Sequence, residues 1–120
     1  MTSSAKGAMA VEHYRDLIQK LLTEKVHRTA QANSLTDKQL IFDPVHDHYQ
    51  LVHVGWKPNG LRNYGCVVHL DIIEGKIWIQ HDGTEEGIAH QLADLGVPKQ
   101  DIVLGFHPPS MRKYTEFATH

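Results

Sequence analysis

The amino-acid sequence predicts an α+β fold: an N-terminal helix, a four-stranded mostly antiparallel sheet, a second helix, a short C-terminal strand and an extended tail. Three observations predict it. Apolar residues recur at helical spacing over residues 11–26. The period shortens to two between residues 39 and 81. A second helical stripe then ends at Leu95-Gly96-Val97-Pro98, where glycine, a hydrophobe and proline together stop a helix. The 120 residues make one domain, expected to bury about two-thirds of the extended chain's surface.

Each element has its own signal. Residues 1–10 are small and polar, and a disordered N-terminus is expected there, with residues 11–120 as the single domain. In the first helix Val11, Tyr14, Leu17, Ile18, Leu21 and Leu22 form the core stripe, with no Gly or Pro between them. Residues 27–38 are nearly devoid of apolar side chains and read as a loop. Leu40-Ile41-Phe42 ends at Asp43-Pro44. Residues 48–56 and 61–73 are β-rich and joined by Lys57-Pro58-Asn59-Gly60, which is turn chemistry. Asp82-Gly83-Thr84-Glu85 fits a helix start, with Asp82 as cap and Ile88, Leu92 and Leu95 as the stripe. Residues 102–106 read as the last strand. His107-Pro108-Pro109 leaves the sheet as an arm, because proline cannot continue an interior ladder.

Register follows from the turn at Glu74-Gly75. Taken as a two-residue hairpin loop, it sets Ile73 against Lys76, Ile72 against Ile77, Leu70 against Ile79 and Val68 against His81. One face of the hairpin is then almost wholly apolar, and the other pairs Asp71 with Trp78 and His69 with Gln80. By alternation Val52, Val54, Trp56, Tyr64 and Cys66 join the apolar face. Tyr49, Leu51, His53 and Val67 join the mixed face with His69, Asp71, Trp78 and Gln80. A solvated face seldom carries a Trp and three further apolar side chains. Either the first helix or the tail covers it, or it binds another protein with Trp and Tyr as anchors.

Composition narrows the function classes. Twelve basic residues against fourteen acidic give −2 at pH 7, which is no footprint for holding nucleic acid by bulk charge. Protonating all ten histidines would carry the charge to +8, so the chain changes sign in mild acid. One cysteine, Cys66, excludes an internal disulfide and any multi-cysteine metal site. There is neither a signal-peptide core nor a run near the ~20 apolar residues of a membrane span, so a cytoplasmic protein without membrane partners is expected.

Chemistry-bearing motifs are short. His46-x-His48 beside Asp43 and Asp47 could ligate a metal, but spacing supplies no third ligand, and surface histidines are the plainer reading. His69-Leu70-Asp71 sets an imidazole and a carboxylate on one strand face without a nucleophile signature. His81-Asp82-Gly83-Thr84 stands where an anion could bind at a helix start, yet its acidic residues would repel a phosphate. No catalytic residue, metal or cofactor is expected from these.

The strings carry a resemblance. Tyr49-Gln50-Leu51-Val52-His53-Val54-Gly55-Trp56, Tyr64-Gly65-Cys66-Val67-Val68-His69-Leu70-Asp71 and Gly75-Lys76-Ile77-Trp78-Ile79-Gln80-His81-Asp82-Gly83-Thr84 resemble the XisI family. So does Leu95-Gly96-Val97-Pro98-Lys99-Gln100-Asp101-Ile102-Val103-Leu104-Gly105-Phe106-His107. The likeness runs over residues 11–117 and is weakest over residues 30–40. These are the fdxN element excision controlling factors of cyanobacteria. The resemblance implies a XisI-like fold and a role in controlling a programmed DNA excision whose strand chemistry belongs to a site-specific recombinase. It implies a XisH-like protein as companion, and it transfers no catalytic residue.

The expected function is therefore that of a non-enzymatic accessory factor. It would bind a XisH-like protein or a site-specific recombinase through Tyr49, Leu51, His53, Val67, His69, Asp71, Trp78 and Gln80. The alternative is a small hydrolase or nuclease component using His69, Asp71 and His81. A homodimer is expected, and direct nucleic-acid binding is not. In the tail Met111, Tyr114 and Phe117 recur at three-residue spacing and are expected to pack on a surface, with Tyr114 and Phe117 largely buried.

Overall fold

The computed structural model describes residues 2–32 and 34–120, with side chains described from Ala10 onward. Helix α1 is Thr2–Arg28. It is followed by strands β1 (Thr36–Asp43), β2 (His48–Trp56), β3 (Arg62–Ile73) and β4 (Lys76–Asp82), helix α2 (Ile88–Asp94), strand β5 (Ile102–Leu104) and a single helical turn, α3 (Pro109–Arg112). The helix thus reaches back through the stretch expected to be disordered. Ala5, Ala8 and Ala10 favour helix, and no proline interrupts it. Met1 lies outside the described residues. No helix among the described residues is long and apolar enough to cross a membrane.

The five strands lie in sequence order in one sheet. β1 to β4 form an antiparallel meander, and β5 joins β4 in parallel, Ile77 beside Ile102. A parallel neighbour needs a crossover, and α2 supplies it. The hairpin register appears as the turn dictates: Ile73 faces Lys76, Ile72 faces Ile77 and Leu70 faces Ile79. Glu74 and Gly75 both take positive φ, as a tight hairpin of this kind requires.

One core forms on one side of the sheet. Tyr14, Ile18 and Leu22 of α1 meet Tyr49, Leu51, Val68, Leu70, Ile77 and Ile79 of the sheet, and Ile88 and Leu92 of α2 close the other end. Arg15 of α1 donates to both carboxylate oxygens of Asp47 (2.7 and 3.0 Å), and the Tyr49 hydroxyl donates to the same carboxylate at 2.9 Å. Those bonds fasten the helix to the β1–β2 turn.

Helix α2 begins at Ile88, later than Asp82-Gly83-Thr84 suggests, because Gly87 at φ 85° breaks any earlier helical turn. Asp82 still caps it from a distance, accepting from the Ile88 amide at 2.8 Å and from the Thr84 amide at 2.9 Å. The helix stops as expected: Gly96 takes φ 100°, its amide bonds Ala93, and the Val97 amide bonds Leu92, a Schellman closure.

The tail folds back as ordered chain. Ala118 bridges to Val103 at the β5 edge, and Phe117 is buried with its ring against His90. Tyr114 is 74% exposed and Met111 is also exposed, against the expectation of a three-residue stripe. The segment is one helical turn followed by irregular chain, so spacing by three does not align side chains on one side.

Candidate functional site

Two bulges decide which side chains meet on the sheet face that α1 and α2 leave open. In the β2–β3 pair Leu51 faces Val68 while Val52 faces Cys66, so Val67 is an extra residue. One extra residue reverses the alternation of everything before it in β3. Uniform alternation therefore fails here, and four expected members of the mixed face leave it. Tyr49 and Leu51 are buried in the core opposite Leu70 and Val68. Val67 packs against the core edge. His53 lines a groove beside Val26, Thr29 and Lys38 on the helix side, where burial, and then Lys38, lower its pKa. In the β3–β4 pair the register shifts between His69 and Leu70, so His69 faces His81 and Val68 faces Asp82, one place beyond the expected partners.

His69, Asp71, Trp78 and Gln80 remain on the open face. His48 and Gln50 take the places of Tyr49 and Leu51, because His48-Tyr49-Gln50-Leu51 alternates polar with apolar and the apolar pair turns to the core. Asp71 lies beside His48 on β2 and Trp78 on β4. His48 donates from Nδ1 to Asp71 Oδ1 at 2.8 Å, and His69 Nε2 lies 2.9 Å from the same oxygen. The Gln80 amide donates to Asp71 Oδ2 at 3.1 Å, and the Gln50 amide stands 3.4 Å from His69 Nδ1. Gly105 makes room for this arrangement: a Cβ there would stand 2.8 Å from Gln80 Oε1.

The electrostatics follow from that geometry. Asp71 is only 8% exposed, whereas the His48 side chain is 59% exposed and reaches in from solvent. Burial works against the Asp71 carboxylate, but hydrogen bonds from His48, His69 and Gln80 outweigh it and hold its pKa below the usual range. The bond to Asp71 raises His48 in turn. The three ligand atoms of His48, His69 and Asp71 lie within 4.8 Å of one another. His69, Asp71 and His81, the set of the hydrolase alternative, do not form the cluster; His48 is its third member. Neither His81 nor any Ser, Thr or Cys hydrogen-bonds to these imidazoles among the described residues. The pair His46 and His48 separates as well, His46 bonding Asp43 in the turn at 2.8 Å.

A second feature of this face escaped the alternation argument for the same reason. Trp56 and Tyr64, expected on the apolar side, are 50% and 72% exposed. The Arg62 guanidinium sits 4.9 Å from the Trp56 ring centroid and 5.9 Å from that of Tyr64. Cys66 shares their alternation and is exposed, its thiol donating to the Val68 carbonyl. At the far end Arg112 covers Trp78 at 5.1 Å and donates to the His107 carbonyl, so the tail covers part of β4.

Comparison with known proteins fits this architecture. No curated protein matches the chain. A crystal structure of a XisI-like protein from Anabaena variabilis is 40% identical, covers 90% of this chain and 97% of its own, and superposes with a TM-score of 0.82. The fdxN element excision controlling factor XisI from the same organism is 34% identical, with 92% and 99% covered and a TM-score of 0.79. The family model described as XisI protein spans residues 9–119. With the whole sheet, helices α2 and α3 and all but the first turns of α1 inside that span, the chain belongs to the XisI family.

Proposed function

We propose that this chain is a non-catalytic accessory factor in the controlled excision of a DNA element, acting in the cytoplasm by binding a protein of XisH type. The site-specific recombinase is the second candidate partner. The observation that carries the reading is the Trp56–Arg62–Tyr64 platform on an open sheet face. Trp, Tyr and Arg are the side chains that most often anchor protein interfaces. Here they are pre-stacked, which lowers the ordering cost of binding. Half-buried Val52 and Val54 and exposed Ile41 extend the apolar surface across β2 and β1. The excision role rests on family membership and on the relative named as an excision controlling factor.

Charge supports a protein partner over nucleic acid. The only adjacent pair of lysine or arginine residues in the sequence is Arg112-Lys113, and Arg112 is engaged by Trp78 and the His107 carbonyl. The test is co-expression and pull-down with the neighbouring XisH-type protein. A complex at micromolar concentration is expected, weakened at least tenfold by Trp56→Ala or Tyr64→Ala. No complex, or one indifferent to both substitutions, refutes the platform reading. A salt-sensitive gel shift by the isolated chain would favour DNA instead.

A further inference from the structure

We propose that His48, His69 and Asp71 form a binding site for one divalent first-row transition metal ion, with zinc as the reference ion. The donor set is two imidazole nitrogens and one carboxylate oxygen. That combination suits zinc, cobalt and nickel, whereas magnesium and calcium require several oxygen ligands that this site lacks.

Geometry argues for it first. Three donors converge from two adjacent strands, and their ligand atoms lie within 4.8 Å of one another. In a tetrahedral zinc site, with bonds of about 2.0–2.1 Å, donor atoms stand roughly 3.3 Å apart. The two nitrogen–oxygen separations here, 2.8 and 2.9 Å, reach that value by small side-chain rotations. Strand positions hold the Cα atoms, so the backbone need not move.

The surroundings argue for it next. A metal-bound carboxylate is commonly fixed through its other oxygen, and Gln80 donates to Oδ2 while Oδ1 faces both imidazoles. A metal-bound histidine is oriented through its other nitrogen, and the Gln50 amide stands at Nδ1 of His69 while Nε2 faces the site. Binding through Nε2 puts the proton on Nδ1, and a turn of the Gln50 amide presents its oxygen to accept it. His48 binds through Nδ1 and leaves Nε2–H to solvent. The remaining coordination positions face the open side of the sheet and are free for water.

A hydrogen-bonded His–Asp–His triad that never takes metal is the competing account, and titration separates the two. Untagged protein is stripped with chelator and titrated with zinc by calorimetry and with cobalt by visible absorption. One equivalent, a tetrahedral cobalt band and a raised melting temperature in zinc are expected. His48→Ala and His69→Gln should each lose at least tenfold in affinity, while His46→Ala and His81→Ala bind as the parent does. His48→Gln keeps a hydrogen bond to Asp71 without offering a good ligand, so it reports on metal even where the alanine variant folds poorly. No saturable binding at micromolar metal overturns the site. So does binding that survives in both His48→Gln and His69→Gln, or that is lost equally with His46→Ala. The measurement uses this chain alone, so its failure leaves the partner reading untouched.

Discussion

Asp47 joins three parts of the molecule, two through its carboxylate and one through its backbone carbonyl. Arg15 holds both oxygens, the Tyr49 hydroxyl holds one, and the Asp47 carbonyl accepts from the Ile72 amide. Its backbone is left-handed at φ 61°, a conformation that Asp and Asn tolerate better than most residues. The hydrogen bonds from Arg15 lower its pKa, with burial opposing them. A depressed carboxylate contributes stability above its unfolded pKa, about 3.9, and loses it as pH falls through the folded value. Asp47→Asn keeps the backbone and removes the charge. It should cost about 1–3 kcal/mol at neutral pH, and its stability should fall less than the parent's between about pH 4 and the parent's acid transition. Urea melts across that range are the measurement, and parallel stability curves would show that Asp47 carries no such linkage.

Among the elements, the tail makes the sharpest distinction between neighbours. Phe117 is 7% exposed and meets His90, whereas Tyr114, three residues earlier, stands in solvent with Lys113 over its ring. Phe117→Ala should cost about 3–5 kcal/mol, the usual loss for a buried aromatic ring. Tyr114→Ala should stay within about 0.5 kcal/mol of the parent. Removing everything after Phe106 also deletes the Ala118 bond to the Ile102 carbonyl and uncovers Val103, so the melting temperature should drop. An unchanged melting curve for that truncation would mean the arm contributes nothing to stability.

For the molecule as a whole, the two edges of the sheet differ. The β5 edge is three residues long and is covered by Ala118. The β1 edge runs for eight residues and pairs only with β2 among the described residues. An open strand of that length is a template for pairing with a second copy. Asp37 and Lys38 lie on it with opposite charges, so an antiparallel pair need not repel itself. A homodimer is the expected state, through β1 or the open face, and light scattering measures it. A mass near 13.6 kDa at every concentration excludes self-association.

The order of elements, the Glu74-Gly75 register and the Gly96 stop were legible from local rules. Each depends on residues close in sequence: a helical period, a two-residue turn, a left-handed glycine. The family was legible too, because long strings such as residues 75–84 carry it without any folding argument. The open face was only half legible. His69, Asp71, Trp78 and Gln80 sit on the turn side of the Val67 bulge, so alternation placed them on the right face, although the shift between His69 and Leu70 pairs His69 with His81 in place of Gln80. His48, Gln50, Trp56 and Tyr64 depend on the register of β2 against β3, and the bulge inverts it. The sole local hint was within β2 itself, where polar His48 and Gln50 alternate with apolar Tyr49 and Leu51. A bulge is a choice made between two strands to seat both apolar sets against one core, here under Ile18 and Leu22. That choice belongs to packing, and only the folded sheet brings His48 to Asp71.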